Sequence, residues 1–234
     1  MVSRVDDQLG QVRAAIDRAG CAERTVTFFF TDHGEYLGDF GLVEKWPSGL
    51  DEVLVRNPLI VHSPGGPTGT ARGFVEMVDL TATLEELAEI EPVLHFGKSM
   101  VPVLEDPAAA HRDAAFSEGG FLLSEEPLLE DGDTGQYRHK QAIQHEHPEL
   151  VGRAVSVRTD RWCYVERLYE GPELYDRVAD PRQTNNLAGC AEFTDEQRAL
   201  RERIFRWLFE TSDVLPLRRD PRMDDDLRQA LLGG

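Results

Sequence analysis

The first hundred residues combine one helix-like and two strand-like hydrophobic patterns. Between residues 2 and 16 apolar side chains recur every three or four positions, and Gly20 follows, which predicts an amphipathic helix with a glycine stop signal. Residues 25–31 are apolar without alternation toward their end, which predicts a strand covered on both faces. Residues 58–62 predict a second buried strand, closed by a Pro-Gly-Gly-Pro turn.

The remaining pattern predicts a helix, a loop and a small sheet. Asp79 predicts the N-cap of a helix that runs to about residue 90. Residues 118–152 are acidic, contain glycine and are weakly patterned, which predicts a long insertion loop. Residues 153–211 predict a small antiparallel sheet and a C-terminal helix that begins with a capping box at Thr194. The charged residues 212–234 predict a tail.

These elements predict an α/β fold, with part of a mixed sheet in residues 1–117 followed by the small antiparallel sheet. The chain has 234 residues, enough for one or two domains, and a net charge of −18. That charge argues against a nucleic-acid partner, because phosphate backbones are bound by excess Lys and Arg. No apolar run approaches membrane-spanning length, so no membrane partner is expected. The three cysteines suggest no disulfide framework and favour a reducing, cytoplasmic compartment, although secretion stays open.

The most informative segment follows the first predicted strand. Asp32 and His33 come directly after it, where α/β proteins usually bind ligands, and Lys45 lies thirteen positions after Asp32. A carboxylate and an imidazole can hold a divalent metal, and a lysine can hold an anion. Simpler interpretations exist for each residue: Asp32 can cap the next turn, His33 can hydrogen-bond a neighbour, and Lys45 can be a solvated surface lysine.

Residues 31–46 resemble the second signature of the sulfatases, a family of the alkaline phosphatase superfamily. That signature runs (T/S)-D-(H/N)-G, then G-x-(F/H)-G, then a lysine before Trp, and here it reads TDHGEYLGDFGLVEKW. Further segments resemble other parts of the family in the same order: 55–65, 78–84, 97–104, 156–164 and 173–188. The resemblance spans about residues 1–211, and it implies the alkaline-phosphatase-like fold.

The resemblance covers only the C-terminal half of a sulfatase. Family members carry an Asp-Asp pair and a C/S-x-P-x-R nucleophile motif before this region, and neither is present here. Cys21, Cys163 and Cys190 are not followed by x-Pro-x-Arg. The resemblance therefore implies a sulfate ester hydrolase of the formylglycine type, represented here by a half that is expected to be inactive alone.

The resemblance also implies roles for three residues. Asp32 and His33 would be metal ligands and Lys45 a catalytic residue that binds the transferred anion. Ca²⁺ is the expected ion, with Mn²⁺ or Zn²⁺ as alternatives because histidine is less usual around calcium. The expected substrate is a small-molecule or glycan sulfate ester.

Two alternatives to this function remain open. The first is a phosphonate or phosphate ester hydrolase of the same superfamily, and the second is a non-catalytic remnant or partner subunit. We also expect self-association, or a partner chain that carries the N-terminal half, because an uncovered strand edge tends to pair.

Overall fold

The computed structural model describes residues 2–92, 95–128 and 138–212. The helices are α1 (Val2–Arg18), α2 (Glu52–Val55), α3 (Val78–Leu87), α4 (Val101–Glu105), α5 (Arg138–Glu146) and α6 (Thr194–Thr211). The strands are β1 (Thr27–Phe30), β2 (Tyr36–Leu37), β3 (Val43–Glu44), β4 (Leu59–His62), β5 (Ala115–Gly119), β6 (Ala154–Arg158), β7 (Trp162–Arg167) and β8 (Glu173–Asp176). This mixture confirms the α/β class.

The N-terminal helix α1 forms as its periodicity predicts. Gly20, with φ of +65°, follows its end, and this left-handed conformation suits glycine because it has no Cβ. None of the helix's side chains is buried, and Val2 is 83% exposed. The apolar side chains that predict the helix are therefore not buried against any other element in the described part of the chain.

The first two predicted strands pair with each other. β1 and β4 are antiparallel, and Phe30 lies opposite Leu59 at one end of the pair. The prediction of a strand covered on both faces is wrong for this chain, since no residue of β1 is buried and Phe30 is 43% exposed. Within the described residues the pair has no third strand beside it, so its apolar side chains stay accessible.

The small antiparallel sheet has four strands in the order β5-β6-β7-β8. The predicted hairpin is confirmed as β6 and β7, and β8 is the predicted third strand. Helix α6 packs on this sheet around Val157, Tyr164, Leu174 and Ile204, which are almost completely buried. β5 belongs to the same sheet, so the boundary predicted at residue 117 cuts through this strand.

Two predicted helix caps are wrong. Asp79 lies inside the first turn of α3, where its buried carboxylate accepts a hydrogen bond from the backbone N–H of Glu76, which precedes it. At α6 no side chain caps the N-terminus, and the Thr194 hydroxyl instead donates to the Ala191 carbonyl. A short 3-10 turn runs directly into α6, so its first N–H groups do not need the capping box.

Residues 118–152 contain more regular structure than the predicted insertion loop. They include α5, which buries Lys140 and Gln144, and 3-10 turns at Leu123–Leu128 and Pro148–Val151. The predicted tail, beyond Ser212, and residues 129–137 of the predicted loop lie outside the described residues. Among the helices that the structure describes, none has the length and apolar character needed to cross a membrane.

Candidate active site

Asp32 and His33 lie at the end of β1, and their side chains face each other. The nearest approach is 3.5 Å, between His33 Nε2 and Asp32 Oδ2, and the Asp32 side chain is 85% exposed. His33 Nδ1 lies 2.7 Å from the Gly34 carbonyl oxygen. Because a carbonyl oxygen only accepts, Nδ1 carries the proton, and the lone pair of a neutral ring lies on Nε2, beside the carboxylate. This arrangement suits a shared divalent ion.

The backbone around this pair is fixed by helix α2 and the residues after it. The Gly34 N–H donates to the Leu54 carbonyl at 2.7 Å. A Cβ at Gly34 would lie only 1.8 Å from the Val53 carbonyl oxygen, so this close approach requires glycine. The Asn57 side chain donates to the Asp32 carbonyl at 3.1 Å, which ties the end of β1 to the start of β4.

A hairpin brings Lys45 back toward His33. Strands β2 and β3 are antiparallel, and Tyr36 lies opposite Glu44 in their register. The register ends at Glu44, whose φ of +66° is left-handed, so Lys45 is the first residue after the hairpin. Lys45 is exposed. The hairpin therefore returns the chain from Tyr36, three positions after His33, to Glu44, which directly precedes Lys45.

The base of this hairpin is buried. Tyr36 is 1% exposed, and its hydroxyl donates to the Asp51 carboxylate. Burial, together with this hydrogen bond, raises the pKa of Tyr36 well above its usual range, so the hydroxyl stays protonated. The Arg167 guanidinium donates to the Ser48 carbonyl at 3.1 Å. The hairpin that presents Lys45 therefore rests on a fixed support.

The structure brings together two of the predicted site residues as a pair, and it shows no contact between them and Lys45, which follows the hairpin, within the described residues. Among the described residues, no cluster of three or more His, Cys, Asp or Glu side chains has the arrangement of a metal site. Asp32 and His33 fit two positions of a metal shell. The remaining ligands have to come from water or from groups outside this set.

A second group of charged residues is buried beneath α3. Asp79 is fully buried, and it accepts hydrogen bonds from Arg112 Nε at 2.8 Å and from the backbone N–H of Lys98 at 2.7 Å. His111 Nε2 lies 3.1 Å from the same carboxylate. The sequence pattern assigned Asp79 to a helix cap, because the partners that neutralise it lie more than thirty residues further along the chain.

Comparison with known proteins assigns a class to this fold. A solved structure, the phosphonate monoester hydrolase of Agrobacterium radiobacter, superposes with a TM-score of 0.71 and is 27% identical, covering 90% of this chain and 40% of that one. The fold is therefore that of the alkaline-phosphatase-like hydrolases.

The sequence comparisons point to one family of that class. The family model described as Sulfatase matches residues 1–90, which include Asp32, His33 and Lys45. The uncharacterized sulfatase YidJ of Escherichia coli is 27% identical over 230 residues, covering 93% of this chain and 40% of the relative. The N-acetylglucosamine-6-O-sulfatase of Bacteroides thetaiotaomicron is 28% identical over 204 residues, covering 85% and 33% respectively.

The chain is thus a relative of the sulfatases in the alkaline phosphatase superfamily. It spans about 40% or less of the length of these curated relatives. The resemblance inferred from the sequence motifs is confirmed.

Proposed function

We propose that this chain is part of a metal-assisted, sulfatase-like hydrolase of sulfate esters. A second part of the enzyme, outside this chain, supplies the nucleophile and the other metal ligands; we call the two together the complete enzyme. The observation that carries the proposal is the pairing of Asp32 with His33 Nε2, within the residues that match the sulfatase family. This pairing would allow two residues adjacent in sequence to bind one ion.

Asp32 and His33 are the proposed metal ligands. The carboxylate supplies a hard oxygen donor, and the Gly34 carbonyl orients the imidazole so that Nε2 is the donor. Ca²⁺ is the proposed ion by family resemblance, with Mn²⁺ or Zn²⁺ as alternatives because of the histidine. A divalent ion at this position would neutralise charge on the oxygens of the transferred group.

Lys45 is the proposed catalytic residue that binds the transferred anion. Its ammonium is a donor-only point charge, suited to an oxygen of a sulfuryl or phosphoryl group. Lys45 is exposed and directly follows Glu44, the residue that pairs with Tyr36 in the hairpin, which supports this role. A preorganised cation at this position stabilises negative charge that develops during transfer.

The proposed substrate is a small-molecule or glycan sulfate ester, since several relatives are named as sulfatases, including one for N-acetylglucosamine-6-O-sulfate groups. A second candidate function is hydrolysis of phosphonate or phosphate esters. It is favoured by the similarity to the Agrobacterium phosphonate monoester hydrolase and by His33, which is more usual around manganese or zinc than calcium.

The test is an assay of the complete enzyme with 4-nitrophenyl sulfate, 4-nitrophenyl phosphate and a phenylphosphonate ester, each with Ca²⁺ or Mn²⁺. We expect the sulfate ester to have the highest kcat/KM. A higher kcat/KM for the phosphonate ester would establish the second function. Absence of all turnover in an enzyme that binds metal would favour the non-catalytic alternative.

Metal ligation is tested separately with Asp32→Ala. We expect this variant of the complete enzyme to lose bound metal, measured by elemental analysis, and to lose activity with it. Asp39→Ala is the matched control, because Asp39 is an exposed acid of the same loop and is not a proposed ligand. Stoichiometric metal in the Asp32→Ala variant would show that Asp32 is not a ligand.

A further inference from the structure

The residues on either side of Lys45 are held by a segment that lies about one hundred positions further along the chain. Lys140 Nζ of α5 lies 3.0 Å from Glu44 Oε2. Beyond α5, the Leu150 carbonyl accepts two hydrogen bonds, from Trp46 Nε1 at 2.9 Å and from the Ser48 hydroxyl at 3.0 Å. These three contacts link residues 138–151 to residues 44–48, and we call this set of contacts the clamp.

Glu44 needs such support because of its backbone conformation. Its φ is +66°, in the left-handed region of backbone conformation. Residues other than glycine, Asn and Asp rarely adopt this region. Such a conformation persists where the surrounding contacts hold it. The pairing of Glu44 with Tyr36 in the β2–β3 hairpin holds its backbone, and Lys140 holds its side chain.

The ion pair with Lys140 is well placed to hold Glu44 firmly. Lys140 is 8% exposed, so its ammonium has been removed from most of its water. A buried ammonium is costly unless a carboxylate and hydrogen-bond acceptors surround it. The Glu44 side chain is itself only 24% exposed. Separation of the two groups is therefore disfavoured, and the conformation of Glu44 is coupled to the position of α5.

Lys45 lies between two held residues and is itself unrestrained. Glu44 is paired with Lys140, and Trp46 is bonded to Leu150. Within the described ranges, the structure shows no hydrogen bond or ion pair for the Lys45 ammonium. The clamp thus fixes the backbone from which Lys45 projects and leaves its charge available.

We propose that Lys140 is a positioning residue that, through Glu44, directs Lys45 toward the transferred anion. The proposal rests on the proposed function, because it assigns a support to the residue that binds the anion there. Lys140 does not touch substrate; it acts by holding the left-handed turn at Glu44. Residues 138–151, predicted as part of an insertion loop, therefore belong to the machinery of the site.

The first test uses the 234-residue chain and does not depend on activity. Lys140→Met removes the charge while keeping much of the side-chain length. We expect amide hydrogen exchange in residues 42–48, measured by mass spectrometry, to become at least about tenfold faster, because local opening no longer breaks the ion pair. Exchange in β6 should not change. Lys98→Met is the matched control, since Lys98 Nζ donates to the His111 carbonyl at 2.6 Å, away from the clamp.

Two further variants keep this test decisive. Lys140→Arg retains the charge and should restore most of the slow exchange. Glu44→Gln removes the other half of the ion pair and should accelerate exchange in residues 42–48 even if Lys140→Met fails to fold. Unchanged exchange in residues 42–48 in both charge-removing variants would overturn the proposal.

The second test is a double-mutant cycle in the complete enzyme. We expect Lys140→Met to lower kcat/KM by about tenfold, the scale of a small misplacement of a catalytic group, and to leave metal content unchanged. In a Lys45→Ala background the same substitution should have no further effect, since both changes act through one ammonium. A full additional loss in that background would show that Lys140 does not act through Lys45.

The two tests separate this inference from the proposed function. If Lys45→Ala leaves kcat/KM unchanged while Lys140→Met accelerates exchange in residues 42–48, the anion role of Lys45 fails and the positioning role fails with it, although the clamp is real. If Lys45→Ala lowers kcat/KM but Lys140→Met has no effect on either measurement, the proposed function stands and the positioning role is wrong.

Discussion

The three lysines of this chain have three different surroundings. Lys45 is exposed, Lys98 donates its ammonium to the His111 carbonyl at 2.6 Å, and Lys140 is 8% exposed beside Glu44. Lys98 is also exposed, but its ammonium is hydrogen-bonded, so an amine-directed reagent should react with Lys45 in preference to the other two lysines. The chain's strong preference for arginine makes the measurement simple, because arginine does not react under the same conditions.

We expect limiting acetic anhydride to acetylate Lys45 before the other two lysines, as measured by peptide mass spectrometry. Inorganic sulfate or phosphate should slow the reaction if the ammonium binds an anion, because a bound anion shields the nitrogen. Sodium chloride at equal ionic strength is the control. First modification at Lys140 would contradict the burial seen in the structure, and first modification at Lys98 would show that its hydrogen bond to His111 does not protect it.

Substitution of Lys45 should separate anion binding from metal binding. In the complete enzyme we expect Lys45→Ala to lower kcat/KM by at least about 10²-fold, the scale of removing one preorganised charge donor, and to leave metal content unchanged. Lys45→Arg retains a cation and should recover part of the loss. The idea fails if the alanine variant has an unchanged kcat/KM, or if it loses its metal.

At the scale of secondary-structure elements, the buried Asp79 carboxylate links α3 to Lys98 and Arg112, which lie further along the chain. Burial raises the pKa of Asp79, but hydrogen bonds from Arg112 and from the backbone N–H groups of Glu76 and Lys98 outweigh it, so the pKa lies below its usual range. A carboxyl whose folded-state pKa is lowered stabilises the fold above its unfolded-state pKa. That stability is lost as pH falls through the folded-state pKa.

We therefore expect Asp79→Asn to lower the free energy of unfolding by about 1.5–3 kcal/mol at neutral pH, because the charged hydrogen bonds from Arg112 to the buried carboxylate are lost and Glu76 is left as the ion-pair partner of Arg112. The difference from the unsubstituted chain should begin to shrink below about pH 4, where the carboxyl becomes protonated in the unfolded state, and should shrink further as pH falls through the lower folded-state pKa. Urea denaturation across pH measures both effects. Asp106→Asn, at an exposed turn, is the control and should change the free energy by less than about 1 kcal/mol. A constant difference down to low pH would contradict this account.

Periodicity predicted the elements whose apolar side chains face a core, and it missed those held by polar contacts. The β6–β7 hairpin was predictable because its alternating residues form the small-sheet core. Helix α5 was not, because the residues it buries are Lys140 and Gln144. The β2–β3 hairpin has only two residues per strand, and its turn depends on a left-handed Phe40, which no local pattern indicates.

The candidate site was predictable only where its residues lie next to an apolar pattern in the sequence. Asp32 and His33 were recognisable because they follow an apolar strand, and their adjacency in sequence already places them together. The contribution of Lys140 was not recognisable, because its partner Glu44 lies ninety-six positions away. A contact between residues so far apart in sequence depends on the tertiary fold, and a single sequence carries no local signal for it.

At the scale of the whole molecule, much apolar surface remains exposed. Ile60 of β4 is 61% exposed, Val2 of α1 is 83% exposed, and Leu37 and Val43 of the hairpin are similarly accessible. A cleft of about 1300 Å³ runs between the β4 side of the chain and the small sheet, bounded by Trp207 of α6. Exposed apolar side chains in this number favour contact with another protein surface.

We expect the 234-residue chain alone to self-associate and not to hydrolyse sulfate esters. Light scattering with gel filtration should show a mass that rises with concentration, and Ile60→Lys should reduce that rise by placing a charge on the exposed strand. 4-Nitrophenyl sulfate with added Ca²⁺ or Mn²⁺ should show no turnover. Turnover that disappears in Asp32→Ala would reveal a complete site within this chain, and a concentration-independent monomer would contradict the predicted association.

The anchoring of α2 has a consequence for how the site opens. Glu52, the first residue of α2, accepts a hydrogen bond from Arg177 Nε at 2.8 Å and lies 3.6 Å from Arg158 Nε, so the helix that holds Gly34 is tied to the end of the small sheet. The proposed metal ligands Asp32 and His33 and that sheet should therefore unfold as one cooperative unit. A protease that cuts within the sheet would release Asp32 and His33 as well, and loss of metal would then report damage made far from the ion.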